Sequence, residues 1–352
     1  MKKICFVMAE AYPVISGKGN QVGGAELQSW LIANELSKNF DVHFIVKAKK
    51  SGEEIKKEIK VHKIEYKHPI IGHIKILKKM HDIKANIYYQ RTGGVATIIT
   101  SMFCFLTGKK FVFHIAGDYQ LDVGYPYGKN RFIRWLYRLA IKKAEVIFVQ
   151  NNIQRKKLKK FGRNGIVIKN LVNTDVNSSE KEDFVLWVGN ISNIKSPLTY
   201  ISLAKELPQH KFLMIGNPAD RELSEKVKKE AETTPNLEFL GFKPYIETDE
   251  YFKKAKVFVN TSKLEGFPNT FLQAWRYKTP VVSLNVDPDE IICNYELGFH
   301  SKTLDAMKRD VSHLMESIEL NQRLGNNGKK YVKEKHDIKK VGKKLVKIFM
   351  EI

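Results

Sequence analysis

Cysteine is scarce in this chain. Cys5, Cys104 and Cys293 are the only three among 352 residues, and they stand far apart. An odd number with no Cys-x-x-Cys pair excludes a disulfide scaffold and a structural zinc knuckle, and fits a reducing compartment. Long apolar runs are missing too. The longest, Val95 to Leu106, is too short to cross a bilayer as a helix. The opening Met1-Lys2-Lys3-Ile4-Cys5-Phe6-Val7-Met8-Ala9 begins like a secretory leader, but Glu10 interrupts it early, so a buried first strand is expected instead. Acidic residues are sparse in one half only. Residues 1–170 carry 32 Lys and Arg against 12 Asp and Glu, whereas residues 171–352 carry 28 against 26. A cationic half implies an anionic partner: a membrane surface, nucleic acid or an acidic polymer.

What is present is alternation. Apolar, β-branched runs are expected as strands at Ile4–Ala9, Val42–Val46, Val61–Tyr66, Ile87–Gln90, Phe111–Ile115, Val146–Gln150 and Ile166–Ile168. In the second half they fall at Phe184–Gly189, Lys211–Gly216, Leu237–Leu240, Val257–Asn260 and Pro280–Leu284. Segments of helical period lie between them. This pattern predicts an α/β protein with parallel sheets covered on both faces. The polar run Asn173 to Glu180 divides the two series. The expected organisation is a first domain over 1–172, a hinge linker over 173–183, a second domain over 184–335 and a closing basic helix over 336–352, packing back on the first domain. Two doubly wound, Rossmann-like domains would face one another and bind ligand in a cleft at the carboxyl ends of their strands.

The most informative segment is Glu265-Gly266-Phe267-Pro268-Asn269-Thr270, between the strand patterns Val257–Asn260 and Pro280–Leu284. A carboxylate in a loop at the carboxyl end of a strand can accept from sugar hydroxyls. Gly266 lets the backbone approach a ligand, Pro268 stiffens the entry to a helix, and the first helical amides face a phosphate. Gln273 follows eight residues after Glu265. In the other half, Gly17, Gly19, Gly23 and Gly24 lie between the first strand and Ala25-Glu26, with a spacing looser than a dinucleotide fingerprint. His114 ends the strand Phe111-Val112-Phe113 and is expected to project at the sheet's carboxyl edge, with Asp118 in the next loop. Gly189 and Asn190 leave the first strand of the second half. Lys195 follows just before Ser196-Pro197, where it could meet a diphosphate. Arg131, Arg134, Arg138 and Lys142 form one stripe of a helix, and Phe132, Trp135, Leu136 and Leu139 another, a pattern suited to a membrane interface. Ile70 to Met80 is a second such candidate.

Together these segments resemble the retaining glycosyltransferases of family 4, which have the GT-B fold. Glu265 to Thr270 resembles their donor-binding signature. Gly23-Gly24-Ala25-Glu26 resembles their N-terminal glycine loop, and Val188-Gly189-Asn190 with Lys195 their phosphate-binding turn. The resemblance implies a nucleotide-sugar donor held mainly by the second domain and an acceptor mainly by the first. By this likeness Glu265 would bond the donor sugar and the amides of Phe267 to Thr270 would hold sugar and phosphate. Lys195 would neutralise the diphosphate, His114 would lie near the sugar, and Gly241-Phe242 near the base. Gln273 stands where relatives carry a second glutamate for the ribose, and Asn190 where an arginine is common. An amide can still exchange hydrogen bonds with ribose without the charge.

The implied function is metal-independent sugar transfer, without a cofactor, to a glycan or lipid-linked glycan of the cell surface. It would take place on the cytoplasmic face of the membrane, with an anionic membrane surface as partner and no nucleic acid. A nucleotide-sugar epimerase of the same architecture, or a basic protein binding nucleic acid or membrane without catalysis, are the alternatives that donor-alone incubation and vesicle binding would separate.

Overall fold

A computed structural model describes residues 1–17, 23–177 and 179–352. The chain divides into two compact units, Met1–Leu171 with Ile338–Ile352, and Val172–Asp337. Gly19 and Ser178 lie outside the described residues.

The first unit is built on eight strands: β1 (Lys3–Val7), β2 (Asp41–Ala48), β3 (Gly52–Lys56), β4 (Ile59–Glu65), β5 (Ile87–Arg91), β6 (Lys110–His114), β7 (Val146–Val149) and β8 (Ile166–Val167). Their order is β3-β4-β2-β1-β5-β6-β7-β8, and every pairing is parallel except β3 with β4. Strands buried on both faces read as unbroken apolar runs, which is why Ile4–Val7 and Val42–Val46 are legible in the sequence. The helix Gly24–Ser37 covers one face, together with the last helix, Ile338–Glu351. That last helix buries Leu345 and Phe349; the Phe349 ring lies 6.4 Å from Phe40 and 6.0 Å from Phe148. The helices Pro69–Ile83, Val95–Thr107 and Arg131–Lys143 contribute to the opposite core layer.

The second unit has six parallel strands: β9 (Glu182–Ile191), β10 (Lys211–Pro218), β11 (Leu237–Phe239), β12 (Ala255–Asn260), β13 (Val281–Ser283) and β14 (Gly298–His300). They run in the order β11-β10-β9-β12-β13-β14. The chain builds outward from β9 through β10 to β11, then returns to place β12 on the other side of β9. The loops after β9 and β12 therefore leave the sheet side by side at the point where strand order reverses, where open α/β sheets bind ligands. In the first unit the same reversal falls between β1 and β5.

Two strands escaped the sequence reading. β3 is a charged edge ribbon, Gly-Glu-Glu-Ile-Lys, and β14 has three residues; neither carries an apolar run. Of the expected linker over 173–183, the described residues before β9 lie outside helices and strands. β9 starts at Glu182, Val172 bridges to Asp337, and Lys181 Nζ donates to the carbonyl of Lys253 at 3.0 Å and to Thr279 Oγ1 at 2.6 Å. This segment is tied to the second unit by its own polar side chains.

Candidate functional site

The two loops at the reversal point of the second sheet are fastened to one another. Thr261 Oγ1 donates to the Lys195 carbonyl at 2.8 Å and accepts from Trp187 Nε1 at 3.0 Å, while the Lys263 amide donates to the Ile194 carbonyl at 2.8 Å. Ser196 takes a left-handed conformation, φ +48°, and Pro197 then opens the helix Pro197–Glu206. This tight reversal holds Lys195 at the sheet edge.

There Lys195 Nζ meets Glu265 Oε1 at 2.7 Å. The same oxygen accepts from Ser262 Oγ at 2.7 Å and from Asn260 Nδ2 at 3.1 Å. The Glu265 side chain is 12 % exposed and that of Lys195 28 %. Burial pushes the Glu265 carboxyl upward, but the Lys195 ammonium and the three hydrogen bonds outweigh it and hold it below its ordinary value. Glu265 is therefore a fixed, ionised acceptor beside a partly accessible cation. Such a pair can bond hydroxyls through the carboxylate and a phosphate through the ammonium.

The neighbouring parts follow from the strands. Gly189 of β9 pairs in register with Gly216 of β10, and Asn190 with Asn217, whose Nδ2 donates to Asn190 Oδ1 at 3.2 Å. A Cβ on Gly216 would come within 2.8 Å of Ile191, so the edge is tightly packed. Gly241 has φ +67°, a turn that favours glycine, and Phe242 beside it is half-buried. Gly266 and Phe267 lead to Pro268, which caps the helix Asn269–Arg276, with Asn269 and Thr270 in its first turn. Phe267 is buried with its ring 4.9 Å from His336.

Three expectations change. Gln273 is 3 % exposed, and its amide nitrogen donates to Thr248 Oγ1 at 3.2 Å and to Asp249 Oδ1 at 3.1 Å. Both of its donors are spent within the unit, beside the Arg276–Asp249 ion pair, so it ties the helix Asn269–Arg276 to Tyr245–Lys254. His114 does not project at an open edge. It is fully buried, its Nδ1 2.8 Å from the Tyr89 hydroxyl and its ring edge-on to Phe148, under the layer formed by Gly24–Ser37 and Ile338–Glu351. Burial and the Arg91 guanidinium push its pKa well below the usual imidazole range, so the ring is neutral. Nor are Arg134 and Arg138 free cations: Arg134 Nε bonds the Lys129 carbonyl at 3.0 Å and Arg138 Nη2 the Val123 carbonyl at 2.8 Å, bracing that loop. Arg131 and Lys142 remain exposed, and Phe132 and Trp135 stand 62 % and 56 % exposed with their rings stacked. Gly23 caps and Gly24 starts the helix Gly24–Ser37; a Cβ on Gly23 would collide with Glu26 Oε2, which folds over it.

Sequence reasoning missed Asn260 and Ser262, which fix Glu265; their signal was a polar pair closing the strand pattern. One trio of potential metal ligands among the described residues, Asp287, Cys293 and His300, has donor atoms within 4.8 Å of one another. Asp287 heads an Asp-Pro-Asp run after β13, but its carboxylate already accepts from the amides of Ile292 at 2.8 Å and Cys293 at 3.4 Å. Among the described residues no helix is long and apolar enough to cross a membrane.

Known proteins share this architecture. The sucrose-phosphate synthase of Thermosynechococcus elongatus superposes with a TM-score of 0.83 at 11 % identity, over 100 % of this chain and 99 % of that one. Anabaena HepE, solved in complex with UDP and glucose, gives 0.75 at 14 % identity over 100 % of both chains. At such identity the likeness establishes the fold, two Rossmann-like domains of the GT-B type. In sequence, the alpha-galactosylglucosyldiacylglycerol synthase of Streptococcus pneumoniae is 27 % identical over 165 residues, 46 % of this chain and 43 % of that protein. The chain spans about half the length of the curated relatives it matches. Residues 171–331, nearly the whole second unit, match the family described as glycosyl transferases group 1.

Proposed function

We propose that this protein is a glycosyltransferase that moves a sugar from a nucleotide-sugar donor to a glycan or lipid-linked glycan acceptor, with retention of configuration and without a metal. The observation that carries the reading is the Glu265–Lys195 pair at the strand-order reversal of the second sheet, inside the segment that matches a glycosyltransferase family. The donor is assigned to the second unit and the acceptor to the first. HepE was solved with UDP, which makes a UDP-sugar the first donor to try.

In this reading Glu265 accepts from hydroxyls of the donor sugar, and the phosphates draw Lys195 away from its pairing. The acceptor hydroxyl oxygen bonds to the anomeric carbon as the bond from that carbon to the diphosphate oxygen breaks, and the hydroxyl proton passes to the leaving diphosphate. Lys195 and the N-terminus of Asn269–Arg276 stabilise the growing negative charge, which is the group of interactions most effective in a dry, preorganised site. No carboxylate needs to act as nucleophile, unlike the paired acids of a retaining hydrolase. The cationic first half, with exposed Phe132, Trp135, Ile70, Ile71 and Ile74, supports peripheral attachment to an anionic membrane, as suits a lipid-linked acceptor made on the cytoplasmic face.

A thermal-shift panel of UDP-, GDP-, ADP- and CMP-sugars tests the reading. One class is expected to raise the melting temperature by mass action, and Glu265→Ala to abolish that rise. No shift with any donor, or full transfer by Glu265→Ala, would sink it.

A further inference from the structure

Arg91 closes β5, the strand beside which the order of the first sheet reverses. It is 2 % exposed; its Nη2 donates to Asn170 Oδ1 at 2.9 Å, and the Tyr89 hydroxyl acts on the guanidinium from the same strand. Among the described residues Nε and Nη1 are buried without a hydrogen-bond partner, and no carboxylate forms an ion pair with the guanidinium. Glu26, folded over Gly23, acts on Arg91 only through space. In register on the next strand stands His114, whose Nε2 is likewise buried and unpartnered. The Tyr89 hydroxyl lies 2.8 Å from Nδ1, and in the tautomer in which that hydroxyl donates, the neutral ring carries its proton on Nε2 and the open group is a donor. Thr92, directly after Arg91, has φ +81°, costly for a β-branched residue, and Thr97 Oγ1 holds it by donating to the Thr92 carbonyl.

A buried guanidinium with open donors and no counter-ion is expensive, and structures retain such a group where something else completes it. We propose that Arg91 and His114 form an oxyanion site at the carboxyl end of the first sheet, which takes a phosphate group. Arg91 presents open N–H groups at Nε and Nη1, either of which can donate to a phosphate oxygen beside Nη2, and His114 Nε2 supplies a further group facing the same strand end. The phosphate belongs either to a nucleotide diphosphate or to a phosphomonoester on a second substrate. The site binds without turnover, so it stands or falls independently of the transferase reading.

The test uses the full chain. Inorganic phosphate is titrated into protein labelled with 15N-arginine while the Arg91 Nε–H resonance, assigned by its loss in Arg91→Lys, is followed. Calorimetry then compares wild type, Arg91→Gln and Lys195→Ala with phosphate, UDP and a sugar phosphomonoester. The resonance is expected to move saturably, and Arg91→Gln to bind at least ~10-fold more weakly, the loss expected for a charged hydrogen bond. Lys195→Ala should keep the Arg91-dependent binding of inorganic phosphate. A loss confined to UDP identifies the diphosphate as the ligand, and a loss confined to the phosphomonoester identifies the second substrate. An Arg91 resonance unmoved by all three ligands overturns the inference, and this readout in wild type decides the matter even if Arg91→Gln does not fold.

Discussion

Replacing Glu265 by Gln keeps the volume of the side chain and removes its charge. In the native protein Oε1 gathers Lys195, Ser262 and Asn260 within 2.7 to 3.1 Å. Breaking a fully buried ion pair costs about 3–5 kcal/mol, but Lys195 is 28 % exposed and can turn to water, so a loss of about 1–2 kcal/mol is expected. The pH dependence has a definite sign. The carboxyl is held below its ordinary value of 4.5, so its stabilisation is fully present above that value and is lost as pH falls through the depressed one. Glu265→Gln should therefore be less stable than wild type near neutrality and converge on it in acid. Guanidinium unfolding at a series of pH values reads both effects. If Glu265 also accepts from donor hydroxyls, losing a charged acceptor costs about 1.5–3 kcal/mol of transition-state binding, or roughly 10- to 150-fold in kcat/KM. A double-mutant cycle with Lys195→Met should show coupling of about 1 kcal/mol or more between the two positions. Wild-type kcat/KM together with an unchanged acid limb in Glu265→Gln would refute the assignment of both the pair and the site.

Three further outcomes follow from other parts of the molecule. Burial, and then Lys278, push the Lys181 ammonium down to about 7, so the folded protein releases a proton that the unfolded chain keeps up to its ordinary value of 10.5. Stability measured in urea should climb between those values by at most about 1.4 kcal/mol per pH unit, and Lys181→Met should flatten the climb. Asp41, His43, His62 and Glu53 form a chain with contacts of 3.3, 2.8 and 2.9 Å across β2, β4 and β3, flanked by Lys60 and Lys79. Burial lowers both imidazoles below 6.5, so protonation is penalised in the fold. Amide exchange in β3 should quicken beyond its intrinsic pH dependence as pH falls below 6.5, and His62→Gln should remove that excess. Finally, Phe132→Ser with Trp135→Ser should weaken binding to vesicles of anionic lipid at least ~10-fold, since each exposed ring is worth on the order of 1.5 kcal/mol or more on burial, while leaving the melting temperature within a degree or two. Unchanged vesicle binding would remove the membrane from the proposal.

The sequence reveals most where chain order alone decides position. Glu265 and Lys195 sit in loops at the carboxyl ends of β12 and β9, and those strands declare themselves because their residues are buried on both faces. That rule does not say whether a side chain at a strand end is open or covered. His114 obeys it and is nevertheless fully buried, its ring against Phe148, which in turn packs on Phe349, more than two hundred residues later. Gln273 shows the same gap on a helix. Spacing places it one turn into Asn269–Arg276, but it does not say that the partners taking its amide hydrogens are Thr248 and Asp249 of the helix Tyr245–Lys254, which only the packing of the two helices brings to it. Arg91 is the converse case. It stands one residue beyond the expected strand Ile87–Gln90, at a carboxyl end no different in the sequence from that of His114, and is followed by Thr92-Gly93-Gly94. Among the many basic residues of the first half its charge carries no signal. What distinguishes it is that Nε and Nη1 are buried with no hydrogen-bond partner among the described residues, a property of three-dimensional packing that spacing cannot encode. Strand order thus locates the places where a ligand can bind, and the hydrogen bonds left unmade decide which side chains there are waiting for one.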